Sequence, residues 1–188
     1  MQAGERREQL LDATKALVAR RGFHAVSIEA VAREAGITRP IVYGHFHDLD
    51  ALLEALVDRE AARALEQLGA VLPGDAGGAG PRETLLTALR GYLEAVRCDP
   101  ATWRLVLMPP EGAPSVLHDH IARGRTAVVE HLARVVGPGR ESPDPELFAR
   151  TLSAVSDEGA RLLLTDPERY PAERIVGFAR WLMAQVAT

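Results

Sequence analysis

Residues 23–52 read FHAVSIEAVAREAGITRPIVYGHFHDLDAL, and the spacing inside this stretch decides the fold. Ser27 is a good N-cap, and Ile28, Val31, Ala32 and Ala35 follow at i, i+3, i+4 and i+7, the inward stripe of a helix about two turns long. Gly36 stands where that helix ends. Thr38 can cap a second short helix. Pro40 then falls in its first turn, where the missing N–H costs nothing, and Val42 and Phe46 share the inward face. Pro40, Ile41, Tyr43 and Gly44 point outward. Two short helices about a tight turn make a helix-turn-helix, whose second helix fits the DNA major groove. A three-helix unit that only packs has the same spacing, so the surface chemistry must separate the two.

That chemistry favours DNA. Pro40 and Gly44 leave a thin helix face able to approach bases closely, Arg39 can donate two hydrogen bonds to guanine, and Ile41 offers apolar contact to a thymine methyl. Ser27, Thr38, Tyr43 and His45 carry the polar groups that commonly bond phosphate oxygens. Helix N-termini at Ile28 and Arg39 add backbone N–H groups.

Outward from this stretch the chain still reads as helix. Upstream, Leu10, Leu11, Thr14, Leu17 and Val18 form one stripe that stops at Gly22. Downstream, Leu52, Leu53, Leu56, Val57, Ala64, Leu65 and Leu68 form a stripe of five or six turns, long enough to join two parts of a molecule. Pro73 to Pro81 (PGDAGGAGP) is a breaker-rich connection. Further helices are expected near Arg82–Val96, Ala101–Met108, Pro114–Val136, Pro145–Thr165 and Ala172–Val186. No period-two alternation is sustained anywhere. The fold is expected to be all-α, with a head at residues 1–47 and a helical body at 48–188.

Composition bounds the function. The 188 residues are 47% hydrophobic and 26% charged, an ordinary globular balance. No apolar run reaches the ~18 residues of a membrane helix, and Gln2, Glu5, Arg6 and Arg7 stand where a signal peptide needs its apolar core, so a cytoplasmic protein is expected. A single cysteine, Cys98, excludes an internal disulfide and a thiolate zinc site. Of the net charge of −4, residues 1–47 hold +2, seven bases against five acids, and the remainder −6. A slightly basic head on an acidic body suits a head that meets an anionic surface.

Residues 23–52 closely resemble the helix-turn-helix of tetracycline-repressor-type (TetR family) transcription regulators. The most diagnostic elements are the Val31-Ala32 to Ala35-Gly36-Ile37 run and the Tyr43-x-x-Phe46 pair leading to Leu52. The resemblance implies an all-helical homodimer, a DNA-reading third helix at Thr38–His45, and a variable body that binds a small-molecule effector and dimerises. The expected function is thus a ligand-responsive repressor of a double-stranded DNA operator, without cofactor or membrane association. Its DNA-binding residues would be Ser27, Thr38, Arg39, Pro40, Ile41, Tyr43, Gly44, His45 and His47. One departure stands out. Where the family usually carries a phosphate-binding lysine at the start of the fourth helix, this chain reads His47-Asp48-Leu49-Asp50, and Glu29 is a further acid near the expected DNA path. His47 and the Arg6–Arg7 arm are the candidate replacements. A helical protein-interaction module is the rival reading, favoured by these acids.

The body offers no catalytic grammar: no G-x-S-x-G, no phosphate-binding glycine loop, no H-E-x-x-H. His118 and His120 are two residues apart, on different sides of a helix, so no metal site is expected. Cys98 reads as a buried small hydrophobe, with a redox thiol beside Arg97 as the alternative. Tyr92, Trp103, Leu107, Met108, Leu117, Ile121, Phe148 and Phe178 are candidate lining for an effector pocket, with Arg104, Glu111 or Asp157 as polar handles and an entrance near Met108–Pro114. Leu152, Ser156, Gly159, Leu163, Phe178 and Leu182 are candidates for a dimer interface built from the last two helices.

Overall fold

The computed structural model describes residues 3–72, 80–136 and 144–186, and among these residues the regular structure is helical, with no strand. Helix α1 (Ala3–Arg21) ends at Gly22, whose φ of 76° favours glycine, and a short 3-10 turn (Phe23–Ala25) leads to α2 (Ile28–Glu34). The Ser27 hydroxyl accepts from the Ala30 amide at 3.1 Å and caps α2. After Gly36 (φ 67°) comes α3 (Arg39–Tyr43). It is shorter than the expected Thr38–His45. Thr38 occupies its N-cap position but makes no side-chain cap bond, so that expected cap is absent. Asp48 caps α4 (Leu49–Val71) through the Ala51 amide at 2.8 Å.

The body follows as α5 (Pro81–Cys98), α6 (Pro100–Leu107), α7 (Ser115–Val136), α8 (Pro145–Thr165) and α9 (Ala172–Val186). The Pro73–Pro81 connection lies, apart from Gly80 and Pro81, outside the described residues, as do Gly137–Pro138–Gly139 and Pro143.

Two apolar cores meet along α4. Leu10, Leu11, Leu17, Val18, Val31, Val42 and Phe46 close the head, and Leu52, Leu56 and Val57 of α4 belong to the same cluster. Leu105 of α6 and Leu117 of α7 also enter it, so the head is seated on the body by apolar packing. Farther along α4, Ala64, Leu68 and Val71 join a second core with Leu86, Leu93, Val96, Trp103 and Leu163. A third cluster forms where α5, α7 and α8 meet, around Leu85, Val129, Leu132 and Ala149.

An ion cluster stitches the same junction. The chain has one lysine, Lys15 on α1, and its ammonium lies 2.7 Å from Glu60 of α4, 3.1 Å from Asp99 and 2.6 Å from the Thr102 hydroxyl. Glu60 is 1% exposed. The Thr102 hydroxyl donates to it, and Arg59 Nη2 approaches its other oxygen at 2.8 Å while Arg59 Nη1 reaches Glu8 and Asp12 of α1, each at 2.9 Å. Burial works to raise the Glu60 carboxyl, but the Lys15 and Thr102 hydrogen bonds and the Lys15 and Arg59 charges outweigh it and hold the group below its ordinary value. Asp99 is lowered in the same way, burial again being outweighed by Thr102 and Lys15.

Cys98 is exposed, correcting the expectation of a buried hydrophobe. Its thiol is pushed up by the hydrogen bond to the Glu94 carboxylate 3.3 Å away, which disfavours the reactive thiolate.

Candidate nucleic-acid interface and body cavity

The outer face of α3 is built by alternation between the core and water. Val42 is fully buried and anchors the helix, while Ile41 is 41% and Tyr43 55% exposed. Arg39 and Pro40 are exposed beside them. Gly44 keeps the end of the helix thin: a Cβ there would sit 3.3 Å from the Ile41 carbonyl. The Arg39 guanidinium lies 3.8 Å from the Glu29 carboxylate, both groups mostly exposed, so the pair is weak and releases Arg39 readily to another acceptor. Glu29 thus sits beside α3.

The edges of this face are less available than expected. His47 is exposed, but its Nε2 stands 2.6 Å from Asp48. Arg7 stacks over the Phe46 ring at 5.0 Å, and Arg6 bonds Gln9, whose amide in turn donates to the Ala35 carbonyl at 3.1 Å. Arg6 and Arg7 therefore brace the turn as well as placing charge near the head's surface. Leu49, at the place of the missing lysine, packs against the head's core.

In the body, a cavity of about 740 Å³ runs between α4, α5, α7, α8 and α9. That is within the ~300–1,000 Å³ range of small-molecule sites. Tyr92, Trp103, Leu107, Leu117, Ile121, Phe148 and Phe178 line it. Arg104 and Met108 do not, correcting those two assignments: Arg104 bonds the Leu164 carbonyl at 3.0 Å and Met108 packs against the second core. Glu111 and the whole Met108–Pro114 segment also lie outside the lining. Trp103, 1% exposed, meets Tyr92 edge-on at 5.1 Å and donates its indole N–H to Gln67 at 2.7 Å. The Tyr92 hydroxyl donates to Asp157 at 3.1 Å, and Arg125 reaches the other Asp157 oxygen at 3.3 Å. Burial, then the Asp157 charge, pushes the Tyr92 hydroxyl up, so it remains a donor. His120 pairs with Asp58 at 2.9 Å, and among the described residues no group of three His, Cys, Asp or Glu is placed to hold a metal.

Of the expected interface residues, Gly159 and Leu163 are turned inward. A Cβ on Gly159 would lie 2.9 Å from Ile175 of α9, so its small size serves the α8–α9 contact within the chain, and Leu163 is 5% exposed in the second core. Leu152 and Ser156 are half-buried. Phe178 (60%) and Leu182 (39%) are exposed, as are Leu147, Val155 and Trp181. Phe178, which also lines the cavity, meets the Trp181 ring at 5.7 Å.

Residues 10–56 match the family model described as bacterial regulatory proteins, tetR family. The match spans α1 to the first turns of α4, the elements that build the exposed α3 face. Over these residues the head of the chain is similar to the tetR-family helix-turn-helix. The chain's fold matches the crystal structure of a TetR-like transcriptional regulator from Rhodococcus sp. RHA1, with a TM-score of 0.79 at 24% identity over 100% of this chain and 98% of that one. Among curated proteins it is 29% identical over 145 residues to an uncharacterized HTH-type transcriptional regulator of Mycobacterium tuberculosis, covering 76% of this chain and 67% of that protein. It is 28% identical over 102 residues to the HTH-type transcriptional activator FasR of Mycolicibacterium smegmatis, covering 54% of this chain. That stretch spans 45% of FasR, less than half its length. No helix among the described residues is long and apolar enough to cross a membrane.

Proposed function

We propose that this chain is a cytoplasmic repressor that binds a pseudo-palindromic operator as a homodimer and is released when a small molecule enters its body, with residues 1–47 as the reading head and 48–188 as the effector and dimer domain. The two α3 helices would read major-groove faces about 34–36 Å apart. Arg39 and Ile41 contact bases, with Pro40 and Gly44 permitting the approach. Ser27, Thr38, Tyr43, His45 and His47 hold phosphates. No catalytic step is part of this reading.

The observation that carries the release half is the position of α6. Thr102 binds Lys15 of the head, and the next residue, Trp103, is in the cavity wall. A molecule that displaces Trp103 therefore pulls on the helix that holds α1. To move the population from 1:99 to 99:1 it must favour the released state by about 5.5 kcal/mol.

The test is fluorescence anisotropy with DNA flanking the protein's own coding sequence, against scrambled DNA, at several salt concentrations. A salt-dependent preference for the flanking DNA is expected. Absence of binding to any DNA at low salt would instead support the protein-interaction reading, with Asp48, Asp50 and Glu29 as its cause. Arg39→Ala should cost about 1–3 kcal/mol and relax sequence preference. A uniform loss across sequences would reassign Arg39 to phosphate.

The exposed apolar set on α8 and α9 supports the dimer. Replacing both Phe178 and Trp181 with Glu should give a monomer by light scattering and weaken operator binding. A double variant that stays dimeric at micromolar concentration would remove this face from the interface.

A further inference from the structure

Resting on the reading of the cavity as the effector site, we infer that the effector is an anionic amphiphile, with its apolar chain in the cavity and its head among the arginines at the α7–α8 seam. Beside the apolar cavity lies a smaller chamber of about 270 Å³, lined by Arg125, Val129, Arg150, Ser153, Ala154, Asp157 and Arg161. The two spaces share Arg125, Ser153 and Asp157 in their linings, so the charged chamber adjoins the apolar cavity at these residues.

The spacing on α8 builds the charged end. Arg150, Asp157 and Arg161 recur at intervals of seven and four residues, which puts them on one stripe, and Arg125 faces that stripe from α7. Three guanidiniums against one carboxylate leave the chamber lining at +2. Asp157 does not oppose an anion with its full charge, because it already accepts from Tyr92 at 3.1 Å and from Arg125 at 3.3 Å. Arg150 and Arg161 are paired outward with Glu146 (2.9 Å) and Glu158 (3.2 Å). These pairs have their carboxylates largely exposed, where they are worth little, so Arg150 can turn to a partner inside, while Arg161 is also held by its Nε–H donating to the Leu107 carbonyl at 3.1 Å. The planar guanidinium fork matches a carboxylate or a phosphate, the two heads that fit this site. A neutral apolar ligand would leave the arginines unused, and a cation would meet the +2 lining.

The experiment is calorimetric titration of the full-length protein with dodecanoate, dodecyl phosphate, dodecanol and dodecylammonium below their aggregation concentrations. At least one anion should bind roughly tenfold or more tightly than the alcohol, the size of one charge-assisted hydrogen bond. The tighter of the two anions names the head group. Arg150→Gln should reduce the anion's advantage several-fold while leaving dodecanol affinity unchanged, which also shows that the variant is folded. Equal binding of anion and alcohol, a preference for the ammonium, or no binding by any of the four overturns the inference. Release is scored separately on operator DNA. An anion bound with the expected preference that leaves DNA affinity unchanged would overturn release and leave the ligand class standing.

Discussion

Glu60→Ala should lower the unfolding free energy by about 3–5 kcal/mol, because it removes one partner of a buried ion cluster and leaves the other charges desolvated without it. For a chain of this size each kcal/mol moves the thermal midpoint by about 2–4 °C, so calorimetry should record a fall of about 10 °C. The cause is specific to the site. Lys15 is 12% exposed and draws its stabilisation from Glu60 at 2.7 Å and Asp99 at 3.1 Å, with only Asp99 remaining in the variant. Replacing both charges with apolar groups of similar size, Lys15→Met with Glu60→Leu, should recover most of the loss. A loss under about 1 kcal/mol for the single variant would show that the cluster is solvated and does not fasten the head.

The same cluster sets an acid limit. Glu60 and Asp99 are both held below their ordinary values in the folded chain. Their stabilisation is therefore complete above the unfolded carboxyl range of about pH 4–4.5, and is lost as the pH falls through their lower folded values. Glu60→Gln should flatten the stability profile between about pH 5 and 3 and leave its shape near pH 8 unchanged. A Glu60→Gln profile parallel to that of the parent over the acid range would assign the acid sensitivity elsewhere.

Trp103→Ala should cost a similar amount, about 3–5 kcal/mol, since it empties the position of the largest buried side chain and strips Gln67 of its indole donor. Trp103→Phe keeps most of the ring volume and should lose only about 1 kcal/mol, the worth of a hydrogen bond. Chemical denaturation of both variants measures the difference. If the alanine variant lost no more than the phenylalanine one, the cavity wall would be collapsing around position 103. Trp103→Phe carries the functional test as well: it should remain folded and bind DNA, with effector release weakened if this ring transmits the change to Thr102. Unaltered release in that variant would place the transmission outside Trp103.

The helix-turn-helix was legible because its signals are local. Ser27 and Asp48 cap the helices they precede, Gly36 takes the left-handed turn, and Val42 and Phe46 are buried as their spacing requires. Pro145–Thr165 and Ala172–Val186 were likewise bounded by their breakers. The Thr38 cap failed because the cap preference describes what a side chain is able to do, while the actual bond depends on the turn that Gly36 imposes. Small residues on α8 were legible as a close-packing stripe, but sequence does not say which helix approaches. Gly159 answers Ile175 of the same chain, and the exposed face falls to Val155, Phe178 and Trp181.

A signal for the ion cluster was present in the sequence. Glu60 falls on the apolar stripe of α4 between Val57 and Ala64, a position where a charge needs a partner, and the chain holds a single lysine. Their pairing was not readable, since Lys15 and Glu60 lie far apart along the chain, Asp99 lies 84 residues from Lys15, and no local rule joins them. The same holds for Arg125 and Asp157, which only the α7–α8 packing brings together. Sequence by itself determined the helices, their inward faces and the helix-turn-helix, because hydrogen bonds and caps act within a few residues along the chain. Tertiary structure decided which charges are buried, where the cavity lies and which apolar side chains stay exposed, because those depend on distances between helices that the chain brings together only on folding.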